Sequence, residues 1–147
     1  MSHQLDRFVE AQDPIYDDVT MELATELKMS HWMWFVFPQV CGLGSSPWAM
    51  LYAIDSLDEA VAYAAHPVLG ARLRECASLV LGTRDHSAEE IFGAVDARKL
   101  QSSMTLFQAA APEEPLFTEV LDKFYSGVPD PKTESTLANW RSQAQHS

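Results

Sequence analysis

Apolar residues recur at three- and four-residue intervals along most of the chain, and each periodic stretch stops at a proline, a glycine or a capping serine. That period belongs to helices; a half-buried strand would alternate instead. Asp6 precedes the short run RFVEAQ, and Pro14 opens a second helix on which Ile15, Val19, Leu23 and Leu27 fall every fourth residue. Ser46 followed by Pro47 reads as an N-cap and first helical position. Ser56 with Glu59, and Ser87 with Glu90, have capping-box spacing. His66-Pro67 breaks the helix that Ser56 opens. The next carries Leu69, Leu73, Cys76, Leu79 and Val80 on its buried face. Asp96 opens a helix that Pro112 ends, and Leu116, Phe117, Val120, Leu121 and Phe124 make the stripe of another, closed by Gly127 and Pro129. The segment from Ser30 to Gln39 is apolar and short, and periodicity leaves it open between a buried strand and a buried helix capped by Ser30 and ended by Pro38.

The expected fold is all-α, a single compact domain of about eight or nine short helices. It occupies residues 5–140, with a flexible start at 1–4 and a weak terminal helix that frays over 141–147. A chain of 147 residues and 16.4 kDa suits one core.

Charge narrows the function classes. Lys and Arg number 10 against 21 Asp and Glu, a net charge of −11. Such a surface repels phosphate backbones and anionic bilayers, so neither a nucleic-acid polymer nor a membrane is an expected partner. The start MSHQLDRFVE lacks a basic and apolar leader, and the expected location is cytoplasmic. Cys41 and Cys76 form no CxxC pair and read as reduced thiols. The five histidines have no helical partner at three or four residues, so no metal or cofactor is expected.

Four clusters can carry chemistry. Trp32, Trp34, Phe35 and Phe37 lie between His31 and Gln39. They are either core rings or the wall of a pocket for a flat heterocycle, with the imidazole and amide at its edge. Gly42-Leu43-Gly44-Ser45-Ser46 before a helix start is a tight turn or an anion cradle. His66 with Arg72 and Glu75 offers a loop imidazole and an ion pair, or a proton donor with an anion clamp. Asp96, Lys99, Ser103 and Phe107 share one helix face, and Ser102, Ser103 and Thr105 place hydroxyls in an apolar helix. Each buried hydroxyl needs a partner, so that face is expected to line a polar pocket.

The motifs SHWMWFVFPQ, GLGSSP, SLDEAVAYAAHPVLGARLREC and KLQSSMTLF, in this order over roughly residues 5–127, resemble the uncharacterised bacterial family called domain of unknown function 1810. The resemblance implies a mostly helical single domain and carries no activity. Its recurrent positions include His31, Trp32, Trp34, Gln39, His66, Arg72, Glu75, Lys99, Ser102 and Ser103. This chain departs at Ala94-Val95 and Ala97-Arg98, where the family has a proline and a second acid, so Asp96 is left as the acid of that turn. A more distant likeness is to the helical family that removes ADP-ribose from nucleobases. Its glutamate beside the histidine is Ser30 or Trp32 here.

The expected function is a pocket for a nucleotide or ADP-ribose-like molecule. A ring would lie on Trp32 or Trp34, read by Gln39 and His31. Arg72, Lys99 and the amides of Gly44 and Ser45 would hold phosphate, with Ser102 and Ser103 lining the pocket. Were it an enzyme, it would hydrolyse an N-glycosidic bond, with Glu75 or Asp96 facing the cationic sugar and His66 or His31 giving the proton. The alternative is a non-catalytic interaction or regulatory module whose partner the sequence does not name.

Overall fold

Proline, glycine and serine set most helix boundaries in the computed structural model, which describes residues 4–84 and 86–146, with side chains described through Ala144. The helices are α1 (Asp6–Gln12), α2 (Tyr16–Ala24), α3 (Met33–Val36), α4 (Pro47–Leu51), α5 (Leu57–Ala65), α6 (Leu69–Leu81), α7 (Ala88–Phe92), α8 (Ala94–Ala110), α9 (Leu116–Tyr125) and α10 (Pro131–His146). No strand occurs among the described residues, so the fold is all-α, with ten helices where about eight or nine were expected. Ser46, Ser56 and Ser87 each accept a hydrogen bond from the backbone N–H three residues on. The Ser87–Glu90 box is reciprocal. Glu59 instead turns its carboxylate to the Asp55 N–H and to Arg7.

The long helix α8 is the axis of the fold. It buries Leu100, Met104, Leu106 and Phe107 and packs against α5, α7, α9 and α10. Helix α6 packs against α2, α5 and α9. Gly70 permits the tight α5–α6 corner, because a Cβ there would lie 2.3 Å from the Ala64 carbonyl oxygen. Cys76 is buried and its thiol is pushed up to about 12 by burial. Cys41 is half-buried, and burial followed by the nearby Asp55 raises it too.

Three local expectations change. Helix α2 stops at Ala24, before Leu27. Glu26 takes a left-handed φ of 60°, the Glu26 N–H reaches the Leu23 carbonyl, and the Leu27 N–H reaches that of Glu22. This double closure is a Schellman motif with glutamate where glycine is usual, and it turns Leu27 outward to 50% exposure. Ser30 caps no helix: α3 starts at Met33 after Trp32 and lacks a side-chain cap. Ser30 instead donates to Glu22. The expected weak terminal helix is long and anchored at its start: α10 runs to His146 and buries Thr133 and Leu137. The expected flexible start falls largely on residues 1–3, outside the described residues.

Candidate functional site

Trp34 lines four cavities. Local structure explains why. In α3, Met33, Phe35 and Val36 point into the core, which leaves Trp34 half-buried on the outer side. The chain then makes an excursion that a parallel bridge closes: the Cys41 N–H donates to the Ile54 carbonyl, and the Ile54 N–H to that of Gln39, both at 2.9 Å. The excursion carries α4, which buries none of its side chains, so Trp48 comes to stack beside Trp34 with ring centroids 6.1 Å apart. Gly44 packs against α4 so closely that a Cβ would lie 2.7 Å from that of Ala49.

The largest of these cavities is a groove of about 720 Å³. Gln39, Gly44 and Ser45 form one wall, Arg98, Lys99 and Ser102 of α8 another, and Asp130 and Lys132 the end. Three of the chain's ten Lys and Arg therefore face one groove, against a single acid. That acid is engaged: Asp130 Oδ2 accepts from the Thr133 N–H and hydroxyl, capping α10. Ser102 is buried at the groove and bonded to Thr133 at 2.6 Å.

On the other side of Lys99 lies a smaller cavity of about 340 Å³, where Lys28, His31, Trp34 and Asp96 meet. The Asp96 carboxylate sits between two ammonium groups, 2.8 Å from Lys28 Nζ and 3.4 Å from Lys99 Nζ. Lys28 lies 5.1 Å over Trp32 and Lys99 lies 4.9 Å over Trp34, both within cation–π range. The Lys28 side chain is only 6% exposed, and Asp96 and the Ser30 carbonyl are the acceptors its ammonium reaches.

Glu22 builds the loop that presents His31. Its carboxylate accepts from the N–H groups of Met29 and Ser30, the Ser30 hydroxyl and Trp32 Nε1, at 2.7–3.0 Å. Burial pushes its pKa up, yet the bonds from Ser30, Met29 and Trp32 outweigh that and hold it below the usual carboxylate range.

The expected site residues divide sharply. Trp34, Gln39, Gly44, Ser45, Lys99 and Ser102 meet at the groove, and His31 and Asp96 join Trp34 and Lys99 next to it. The anion-cradle role expected of the Gly44 and Ser45 turn loses its helix, because α4 is five residues long and the Ser46 hydroxyl already takes the Ala49 N–H. Trp32 is core, 1% exposed, with its Nε1–H spent on Glu22, so of the two candidate rings only Trp34 faces a cavity. Ser103 is also core: its hydroxyl is buried without a hydrogen-bond partner, and the residue lines none of the cavities around Trp34.

His66 is a helix cap. Its Nδ1 accepts from the Val68 and Leu69 N–H groups, both at 3.1 Å. Arg72 pairs with Asp13 at 2.8 Å and covers the Tyr16 ring, while Glu75 accepts from the Tyr16 hydroxyl. None of these three lines a cavity around Trp34. The sequence reading missed Lys28, Trp48, Arg98 and Lys132. Trp48, a large ring in an element too short to bury it, was the detectable one. Arg98 and Lys132 are joined only by the docking of α10 on α8.

These features define a small all-α protein with a candidate surface site that combines aromatic rings with a cationic groove. The chain belongs to the family described as Protein of unknown function (DUF1810), which matches residues 2–137. It is similar to the conserved hypothetical protein Rv1873 from Mycobacterium tuberculosis, at 52% identity over 91% of this chain and 96% of that one. The TM-score to that protein's crystal structure is 0.90. No curated protein matches the chain. Among the described residues no helix is long and apolar enough to cross a membrane.

Proposed function

We propose that this protein binds an anionic, ring-bearing small molecule of the nucleotide class in the groove beside Trp34. The observation that carries the reading is the concentration of Arg98, Lys99 and Lys132 around one groove in a chain of net charge −11. Cations gathered against the prevailing charge provide a local positive field, and guanidinium and ammonium groups match phosphate oxygens. Trp34 supplies ring surface, and the Gln39 amide offers both a donor and an acceptor to a base edge. Phosphate would lie among Arg98, Lys99 and Lys132, with a base along Trp34.

Binding is favoured over N-glycoside hydrolysis. Of the expected catalytic groups only His31 and Asp96 share a cavity, and Asp96 already faces two lysines. A carboxylate neutralised in this way has little field left for a cationic sugar. The interaction-module reading rests on one observation, the exposure of Trp48, Met50 and Leu51 on α4.

A thermal-shift series with AMP, ADP, ADP-ribose and pyrophosphate tests the proposal. A ligand at a hundred times its dissociation constant stabilises by about 2.7 kcal/mol, a rise of roughly 5 °C or more for a domain of this size. The rise should vanish in Lys99→Ala and Lys132→Ala with helicity unchanged, and chromatography should recover the nucleotide intact. No shift at millimolar concentration would overturn the reading, as would a shift that both variants retain; released base would restore hydrolysis.

A further inference from the structure

A separate chamber of about 510 Å³ opens on the other flank of Trp34, and its chemistry is opposite to that of the groove. Rings make most of its wall: His31, Trp34, Phe35, Trp48 and Tyr52. Glu10 is its charged residue, and no lysine or arginine lines it. The rings stand in two directions. Trp48 and Tyr52 are nearly parallel, at 12° with centroids 6.1 Å apart, and Trp34 lies at 30° to Trp48. Phe35 crosses Tyr52 at 62° and 5.3 Å. Glu10 sits on the exposed side of α1 and takes part in no ion pair among the described residues.

We propose that this chamber is a binding site for a quaternary or N-alkylated organic cation. Ring faces carry negative potential, and one carboxylate at the rim supplies the counter-charge. A primary ammonium brings three donors that need acceptors, and among charged acceptors the chamber offers only Glu10. An alkylated nitrogen brings none, so it enters the apolar wall without leaving a donor unpaired. The net charge of −11 adds a long-range attraction for any cation. This site differs from the anion groove in cavity and in sign, and the two share Trp34 alone as a ring wall.

Calorimetric titration with choline, and with the neutral alcohol in which carbon replaces the choline nitrogen, isolates the charge. Choline is expected to bind at least about tenfold more tightly than the neutral alcohol, a ratio equivalent to about 1.4 kcal/mol. Glu10→Gln should weaken choline several-fold, and Trp48→Ala should abolish measurable binding. Both residues are exposed, so both variants should fold. Lys132→Ala should leave choline binding unchanged, which keeps this test independent of the nucleotide groove. Equal affinity for the neutral alcohol, indifference to both substitutions, or no choline binding at about ten millimolar would overturn the proposal. A peptide carrying trimethyl-lysine distinguishes the source of the cation. Tighter binding than choline points to a modified protein side chain, and weaker binding points to a free small molecule.

Discussion

His66 ends one helix and opens another, and its ring is occupied in doing so. Nδ1 accepts two backbone N–H groups at the start of α6, which would otherwise lack partners. Replacing a capping side chain by alanine removes about 1 kcal/mol of stability, whereas asparagine is itself a good cap. His66→Ala should therefore lose about that amount in urea denaturation and His66→Asn much less; equal loss in both would show the imidazole acting in another way. Glu22 carries more. Hydrogen bonds to a charged group are each worth about 1.5–3 kcal/mol, so Glu22→Gln should lose at least about 2 kcal/mol near neutral pH. Its folded pKa lies below the unfolded value, so its contribution is complete above about pH 4.3 and declines as pH falls through the folded pKa. The gap between wild type and Glu22→Gln should narrow in acid, and a constant gap would count against the hydrogen-bonded carboxylate. These two residues also mark what sequence conveys at this scale. That His31, Gln39 and an indole of the aromatic run would border a cavity was legible. Which indole faced outward was not, because Trp32 is fixed by a carboxylate ten residues away.

Helix boundaries were legible wherever a short polar side chain or a proline acts within its own turn, as at Ser46-Pro47, Ser56, His66-Pro67 and Ser87. They were less so where a tertiary partner decides. Glu22 draws the 29–32 backbone into a loop and postpones α3, and the left-handed Glu26 ends α2 without a glycine to announce it. The last helix shows the same dependence. Its sequence has a weak apolar face, yet Thr133 bonds Ser102, Asp130 caps the helix while its own N–H donates to Thr105, and Leu137 is 4% exposed. Docking of α10 brings Lys132 to the groove opposite Arg98 and Lys99, so it completes the candidate site as well as the core. Leu137→Ala should cost about 2–3 kcal/mol, near the lower end for a buried leucine because α10 lies at the edge of the fold. In the same variant nucleotide affinity should fall with Lys132 misplaced, while choline binding in the chamber away from α10 stays unchanged. Urea denaturation and titration of both ligands check the pair, and a loss confined to stability would separate α10 from the groove.

Over the whole molecule the two ligand chemistries are set against a single background of excess acid. Screening extends about 30 Å at 0.01 M salt and about 10 Å at 0.1 M. At the lower concentration an approaching nucleotide responds to the full −11; at the higher one it responds mainly to the three cations around the groove. Its association rate should rise as salt is added over this range, the reverse of the usual behaviour for an anion meeting a cationic site. A quaternary cation experiences the same background with the opposite sign, so its association rate should fall. Trp34 borders both cavities, and stopped-flow tryptophan fluorescence can follow both events in one protein. Opposite salt slopes, rising for the nucleotide and falling for the quaternary cation, would show the net charge of −11 governing both encounters. Slopes that fall for both would mean that each ligand is steered by charge of the opposite sign at its own cavity, the local field outweighing the net charge over this range.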